Sequence, residues 1–139
     1  MRALLLALCL LALPAIAAES RLSAADVKAI RVIVSAQLDA FAHDDGQKAF
    51  SYATSDIREQ FGDADTFMDM VRHSYAVVYR PASVSFLEPS QEHGEVLQQV
   101  RMTDGDGGVW LARYHMERQR DGGWLIAGCD LARLEGSAT

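Results

Sequence analysis

Four polar side chains fall on positions where the sequence otherwise predicts apolar surface, and they are the residues best suited to bind a small molecule. Gln98 and Tyr114 stand within two runs of alternating apolar residues, while Tyr75 and Tyr79 lie one helical turn apart. A buried amide or phenol needs a hydrogen-bond partner, which a bound ligand would supply. These residue types favour the alternative without a ligand. In that case Tyr114 packs in the core and bonds a backbone carbonyl, and Gln98 lies near a sheet edge. The candidate ligand-binding residues are therefore Tyr75, Tyr79, Gln98 and Tyr114.

Other kinds of site have little support in the sequence. The histidines are never three or four residues apart, so no local metal pair is predicted; they are His43, His73, His93 and His115. The segment Asp104-x-Asp106-x-Gly108 lacks the glutamate that closes a calcium loop at its twelfth position, where His115 stands. No nucleophile elbow, C-x-x-C pair or phosphate-binding loop occurs. We predict no catalytic residue, no metal site and no cofactor.

Catalysis in the same place would require two further roles to be filled. An isomerase or cyclase needs a general base in an apolar pocket and a group that stabilises an enolate. Tyr114 suits the second role, and Asp130 in the last predicted strand is the best carboxylate for the first, because the others lie in turns and at helix starts. Arg80 is either an anion anchor beside Tyr79 or a surface residue next to Pro81.

The first half of the chain predicts helices. Ser23 followed three residues later by Asp26 is a helix-start pattern. Apolar residues then recur at the spacing of one helical face, at Val27, Ile30, Val34, Leu38 and Phe41. Short helices are predicted over residues 47–53 and, capped by Ser55, over 57–61. A fourth helix is expected to open at Asp65 or Thr66 and to continue to Arg80, where Pro81 ends it.

The second half predicts antiparallel strands around residues 84–86, 96–102, 110–116 and 124–131, with glycine-rich hairpin turns at 104–108 and 121–123. Their alternation places Leu97 and Leu111 on the outer face, and on the inner face Val96, Gln98, Val100, Met102, Trp110, Ala112, Tyr114 and Met116. Helices followed by such strands predict an α+β fold, with the helices on one face of a curved, four-stranded antiparallel sheet.

Two sets of residues resemble known families. The helix-break-helix stretch over residues 40–50 resembles the opening of the nuclear transport factor 2-like superfamily, the cone-shaped fold of ketosteroid isomerase and the SnoaL-type cyclases. Residues 60–62, 67–71, 79–86, 109–112 and 121–129 together resemble the small exported bacterial family of domain of unknown function 4864. This resemblance implies a cone-like fold and an exported protein, but it supplies no catalytic residues. The superfamily usually has a strand between its helices, and no alternating run occurs before Ser83.

The first seventeen residues predict the compartment. Arg2, an apolar run over residues 3–13 and small residues after Pro14 are typical of a secretory signal peptide, cleaved after Ala17. The apolar run is shorter than the roughly 20 residues of a spanning helix, so a membrane anchor is not expected. We predict a signal peptide over 1–17, a single domain over 18–139, and a periplasmic or secreted location.

Charge and cysteine content limit the partners. Of the 13 basic residues only Arg2 lies in the signal peptide, so 12 basic residues remain against 19 acidic ones. Nucleic acid and anionic membranes are therefore not expected partners. Cys129 is the one cysteine left, and its apolar neighbours favour burial over reactivity. The expected function is non-enzymatic binding of a small apolar or amphipathic ligand or of a protein. The alternatives are a cofactor-free isomerase, cyclase or hydrolase, and a homodimerising module that pairs through the outer face at Leu97 and Leu111.

Overall fold

The computed structural model describes residues 22–134, which form five helices followed by five strands. The helices are α1 (Ala24–Ala42), α2 (Gly46–Ser51), α3 (Ser55–Phe61), α4 (Ala64–Ser74) and α5 (Ala76–Tyr79). The strands are β1 (Ser83–Phe86), β2 (Ser90–Glu92), β3 (Glu95–Thr103), β4 (Val109–Arg118) and β5 (Trp124–Leu134). The α+β class is therefore confirmed. The predicted signal peptide lies outside the described residues.

Helix α1 begins as its sequence predicts. The Ser23 hydroxyl accepts a hydrogen bond from the Asp26 amide at 3.0 Å, and the Asp26 carboxylate accepts one from the Ser23 amide at 3.2 Å. This reciprocal pair satisfies two amides that a helix start leaves without partners. The buried face of α1 consists of Ile30, Val34, Gln37, Ala40 and Phe41.

The predicted fourth helix is in fact two helices. Asp63 caps α4 by accepting a hydrogen bond from the Thr66 amide at 2.7 Å, two to three residues before the predicted start. The helix then breaks at Tyr75, whose φ of −130° and ψ of 46° are not helical, and α5 resumes for one turn. β-branched Val77 and Val78 follow the break, and such residues support helix poorly. Tyr75 therefore does not lie within the one continuous helix that the spacing of the sequence predicts.

The sheet is antiparallel with the order β1-β3-β4-β5, and β2 also pairs with β3. Strands β1 and β2 lie end to end along the same edge, opposite residues 100–103 and 95–97 of β3. The three-residue β2 is a fifth strand that the alternation did not predict, because it is too short for a pattern. Both glycine-rich hairpin turns are confirmed, with positive φ values at Gly107 and Gly122.

The core lies between the helices and the inner face of β3 and β4. All of the residues predicted to face inward from these strands are buried except Trp110, which is half-buried. Residues 52–54 run beside the start of β5, where the Thr54 amide donates to the Ile126 carbonyl and the Ile126 amide donates to the Tyr52 carbonyl, both at 2.9 Å. A short strand-like pairing therefore does occur between the helices. Within residues 22–134, no helix has the length and apolar content needed to cross a membrane.

Candidate functional site

A cavity of about 200 Å³ lies between the helices and the inner side of β4 and β5. We call it the inner cavity. Its walls are mostly aliphatic and aromatic, with contributions from α1, α3, α4, α5 and the two strands; the lining residues are Gln37, Phe41, Ala53, Ile57, Gln60, Phe61, Phe67, Met70, Val71, Tyr75, Val78, Tyr114, Ile126, Gly128 and Cys129. A dry cavity of about 150 Å³ already holds benzene, so this one has room for a molecule of roughly one aromatic ring.

Aromatic side chains build one wall of the inner cavity. The Phe67 ring lies at the centre of a cluster, with its centroid 6.2 Å from that of Phe41, 5.4 Å from Phe50 and 5.6 Å from Phe61. Tilted and edge-on ring pairs at such distances are favourable. Because these rings come from α1 to α4, one cluster holds the helices together and also presents ring faces and edges to the cavity.

Tyr114 contributes the cavity's most unusual polar group. Its side chain is 1% exposed, and its hydroxyl is fully buried with no hydrogen-bond partner in the described part of the chain. Burial raises the pKa of Tyr114 well above its usual value, and the nearby Cys129 thiol adds to the shift. The phenol therefore stays protonated and is a hydrogen-bond donor without an acceptor. A buried polar group in this condition is costly, and native proteins contain few of them.

Tyr75, by contrast, has a partner within the fold. Its hydroxyl donates to the Cys129 carbonyl of β5 at 2.8 Å, which ties the break between α4 and α5 to the sheet. The Cys129 thiol also borders the cavity, and burial raises its pKa to about 12. A thiol with such a pKa is not a nucleophile at neutral pH, so Cys129 forms part of the wall.

The structure places the other two predicted binding residues away from the inner cavity. Gln98 is completely buried, and its amide nitrogen donates to the Leu87 carbonyl at 2.7 Å and to the Gln99 carbonyl at 2.9 Å. These bonds hold the junction between β1 and β2 against β3. The Gln98 side-chain oxygen has no partner within the described residues.

Tyr79 belongs to a polar cluster at the surface. Its hydroxyl donates to the Asp44 carboxylate, and this hydrogen bond lowers the pKa of Asp44. The Arg80 guanidinium lies 4.2 Å from the Tyr79 ring centroid and also bonds Asp44 at 3.1 Å. Arg72 bonds the same carboxylate at 3.4 Å. Because Arg72 and Arg80 are both paired with Asp44, this cluster closes the turn between α1 and α2 and leaves no unpaired cation for an anion.

Gln37 is a cavity residue that was not among those predicted from the sequence. Its side chain is 4% exposed, and its amide nitrogen donates to the Ala49 carbonyl at 3.1 Å. No hydrogen bond to the Gln37 side-chain oxygen occurs among the described residues, and the side chain lines the cavity. The signal was in the sequence, because Gln37 follows Val34 by three residues and precedes Phe41 by four, on the apolar face of α1.

The opposite face of the sheet carries a fully paired set of charges, which we call the outer network: Glu95, Arg113, His115 and Asp130. Arg113 donates to Asp130 at 2.7 Å, and the two His115 ring nitrogens lie 2.8 Å from Asp130 and 2.5 Å from Glu95. Hydrogen bonding to Asp130 and then to Glu95 outweighs partial burial and raises the pKa of His115. The protonated ring donates from both nitrogens. Asp130, the base considered for an enzyme, is therefore engaged on the outer face.

A second hollow, of about 310 Å³, lies beside the start of α1. It is larger than the inner cavity, but two of its three charged groups, Asp26 and Arg118, pair with each other. Arg118 pairs with Asp26 at 2.8 Å and lies 4.5 Å from the Trp124 ring centroid, and the Trp124 indole nitrogen is 3.3 Å from Asp26. We therefore regard the smaller inner cavity as the candidate site. Across residues 22–134, no group of histidines, cysteines and carboxylates is arranged to hold a metal ion.

Comparison with known proteins gives a family but no function. No curated protein and no solved structure matches the chain. The family model described as "Domain of unknown function (DUF4864)" matches residues 23–139, which include the helices, the sheet and every residue of the inner cavity. The chain therefore belongs to the DUF4864 family.

Proposed function

We propose that this domain binds a small, largely apolar molecule in the inner cavity. The observation that carries the proposal is the Tyr114 hydroxyl, a fully buried donor without a partner among the described residues, on a side chain that lines an apolar space large enough for one ring. Native folds satisfy nearly all such groups, and a ligand is the partner that this geometry would accept. The aromatic wall gives the rest of the ligand a favourable environment.

A binding role is better supported than a catalytic one. An enzyme in this cavity would need a carboxylate or histidine within reach of Tyr114, and among the lining residues there is neither. The carboxylate considered for that role, Asp130, bonds Arg113 and His115 on the other face of the sheet. We therefore do not propose an isomerase, cyclase or hydrolase activity.

We further propose that the fold is a nuclear transport factor 2-like cone and that the protein works outside the cytoplasm. Support for the cone comes from the order of elements, the bulge in β4–β5 pairing between His115 and Met116, and the cavity between helices and sheet. Support for export comes from the sequence of residues 1–17 alone. Self-association through Leu97 and Leu111 stays a prediction; both residues are half-buried.

Binding of toluene to the protein, expressed as the full chain, tests the proposed function. We expect saturation-transfer NMR to detect toluene bound to the wild type. Val71→Phe adds volume inside the cavity and should abolish the signal, because Val71 lines it and is 4% exposed. The matched control, Val32→Phe, lies on the solvent side of α1 with Val32 55% exposed and should leave binding unchanged. Failure of the wild type to bind toluene, or equal binding by both variants, would contradict the proposal.

A further inference from the structure

The inner cavity has no charged wall. Among the side chains that line it there is no aspartate, glutamate, lysine, arginine or histidine. The groups that can ionise, Tyr75, Tyr114 and Cys129, all have pKa values raised by burial and are neutral at physiological pH. A charged ligand would therefore be buried without a counter-ion, which costs several kcal/mol. The cavity selects for a neutral molecule.

The polar groups of the cavity divide into those used by the fold and those left over. The Tyr75 hydroxyl is used by the Cys129 carbonyl, and the Gln37 amide nitrogen is used by the Ala49 carbonyl. Apart from the exposed amide of Gln60, two side-chain groups of the lining are left without partners within the described residues: the Tyr114 hydroxyl, which donates, and the Gln37 oxygen, which only accepts. The orientation of the Gln37 side-chain amide follows from its bond to Ala49, because only the NH₂ end can donate to a carbonyl.

Both leftover groups belong to residues that line the inner cavity. Because a cavity of about 200 Å³ holds roughly one aromatic ring, we expect one bound molecule to contact both residues. Gln37 comes from α1 and Tyr114 from β4, on the helical and sheet sides respectively. One polar substituent that both accepts and donates would satisfy the two together. A hydroxyl is the smallest neutral group that does so.

Resting on the proposed function, we propose that the inner cavity recognises a neutral one-ring aromatic compound carrying a hydroxyl group. The ligand hydroxyl accepts a hydrogen bond from Tyr114 and donates one to Gln37, while its ring packs against Phe41, Phe61 and Phe67. Gln37 is then a specificity-determining residue, because it distinguishes a hydroxyl from an ether or a methyl group at the same position.

Three neutral probes with the same number of non-hydrogen atoms separate these contributions: p-cresol donates and accepts, anisole only accepts, and p-xylene does neither. Dissociation constants measured by NMR titration should rise in that order, by about five- to tenfold at each step, since each step removes one hydrogen bond to a buried group. Benzoate, which is charged, should not bind. Binding of p-xylene as tight as that of p-cresol, or equal binding of benzoate, would overturn the inference while leaving the proposed function standing. Absence of binding by all probes would overturn both.

Gln37→Met keeps the length of the side chain and removes its acceptor. We expect it to bring the dissociation constant of p-cresol to that of anisole. The matched control is Gln60→Met, because Gln60 also borders the cavity but is exposed at its rim, and the preference for p-cresol should persist there. An unchanged preference in folded Gln37→Met would overturn the role of Gln37. If that variant does not fold, the order of the three probes on the wild type still decides the ligand class.

Discussion

Neighbouring side chains of β4 differ in exposure and in hydrogen bonding on the two faces of the sheet. On the outer face, Arg113 is exposed and His115 is half-buried, and every charge of the outer network has a partner within 3 Å. On the inner face, Tyr114 lies between them in sequence, is 1% exposed, and its hydroxyl has no hydrogen-bond partner within residues 22–134. Water would satisfy polar groups on the outer face at little cost, yet they are paired, whereas the buried inner hydroxyl has no partner among the described residues. This contrast supports the proposal that a ligand completes the inner face.

The largest difference between the two faces is expected from side-chain truncation. Phe67→Ala on the inner side removes a ring that is 6% exposed and contacts three others, and should lower the free energy of unfolding by about 3–5 kcal/mol. Leu111→Ala on the outer face removes a half-buried side chain and should cost about 1 kcal/mol. Urea denaturation measures both. Equal costs would mean that the outer face is covered as fully as the core.

Removal of single hydroxyl groups should change the free energy of unfolding by less, but differently for Tyr114 and Tyr75. In ligand-free protein, Tyr114→Phe removes a polar group without a partner and should leave the free energy of unfolding unchanged or raise it by up to about 1 kcal/mol. Tyr75→Phe breaks the bond to the Cys129 carbonyl and should lower it by about 1 kcal/mol. Tyr52→Phe is the control, because Tyr52 lies outside the cavity lining. A loss in Tyr114→Phe as large as in Tyr75→Phe would show that Tyr114 has a partner in the protein.

A pH titration probes the outer network. The folded-state pKa of His115 lies above its usual value of 6.5, so the folded protein binds this proton more tightly than the unfolded chain. The stabilisation is complete below the unfolded pKa and is lost as the pH rises through the folded one. Wild type and His115→Gln should therefore differ by less than about 1 kcal/mol at acidic pH and converge at alkaline pH, because the network is partly solvated. A stability difference between wild type and His115→Gln that grows as the pH rises would contradict a raised pKa of His115.

The smallest effect is expected for chemical modification of Cys129, which should not react in the folded protein. A pKa of about 12 leaves almost no thiolate at neutral pH, so iodoacetamide should not modify this residue in the folded protein. Peptide mapping by mass spectrometry distinguishes Cys129 from Cys9 and follows its modification with and without urea. Rapid labelling of Cys129 without urea would place the thiol in solvent rather than in the cavity wall.

The periodicity of the sequence predicted most of the fold, and two of the four residues predicted to bind a ligand line the candidate site. Long segments such as α1, β3 and β4 repeat their pattern often enough to identify both the element and its buried face. Tyr75 and Tyr114 were predicted as ligand-binding residues and do line the cavity. The break at Tyr75 and the short β2 strand were not predicted, because both depend on tertiary contacts with β5 and β3.

The remaining site residues show why polar groups in apolar patterns are hard to interpret from sequence. Gln98, Tyr114 and Gln37 all interrupt an apolar face, so periodicity alone gives them the same meaning. What separates them is the carbonyl that each side chain reaches and whether it lines the cavity. Gln98 bonds Leu87 away from the cavity, Gln37 bonds Ala49 and lines the cavity, and Tyr114 lines it and bonds nothing in the described chain. These contacts arise from packing between elements far apart in sequence, and no local pattern encodes them.

A crystal structure of the protein grown with p-cresol would show whether the inner cavity binds a ring that carries a hydroxyl group. We expect electron density for the ligand in the inner cavity, with its oxygen about 2.5–3.0 Å from the Tyr114 hydroxyl and within hydrogen-bond distance of the Gln37 oxygen. A cavity filled only by ordered water that bonds Tyr114, or a Tyr114 hydroxyl bonded to a backbone carbonyl, would overturn the proposal.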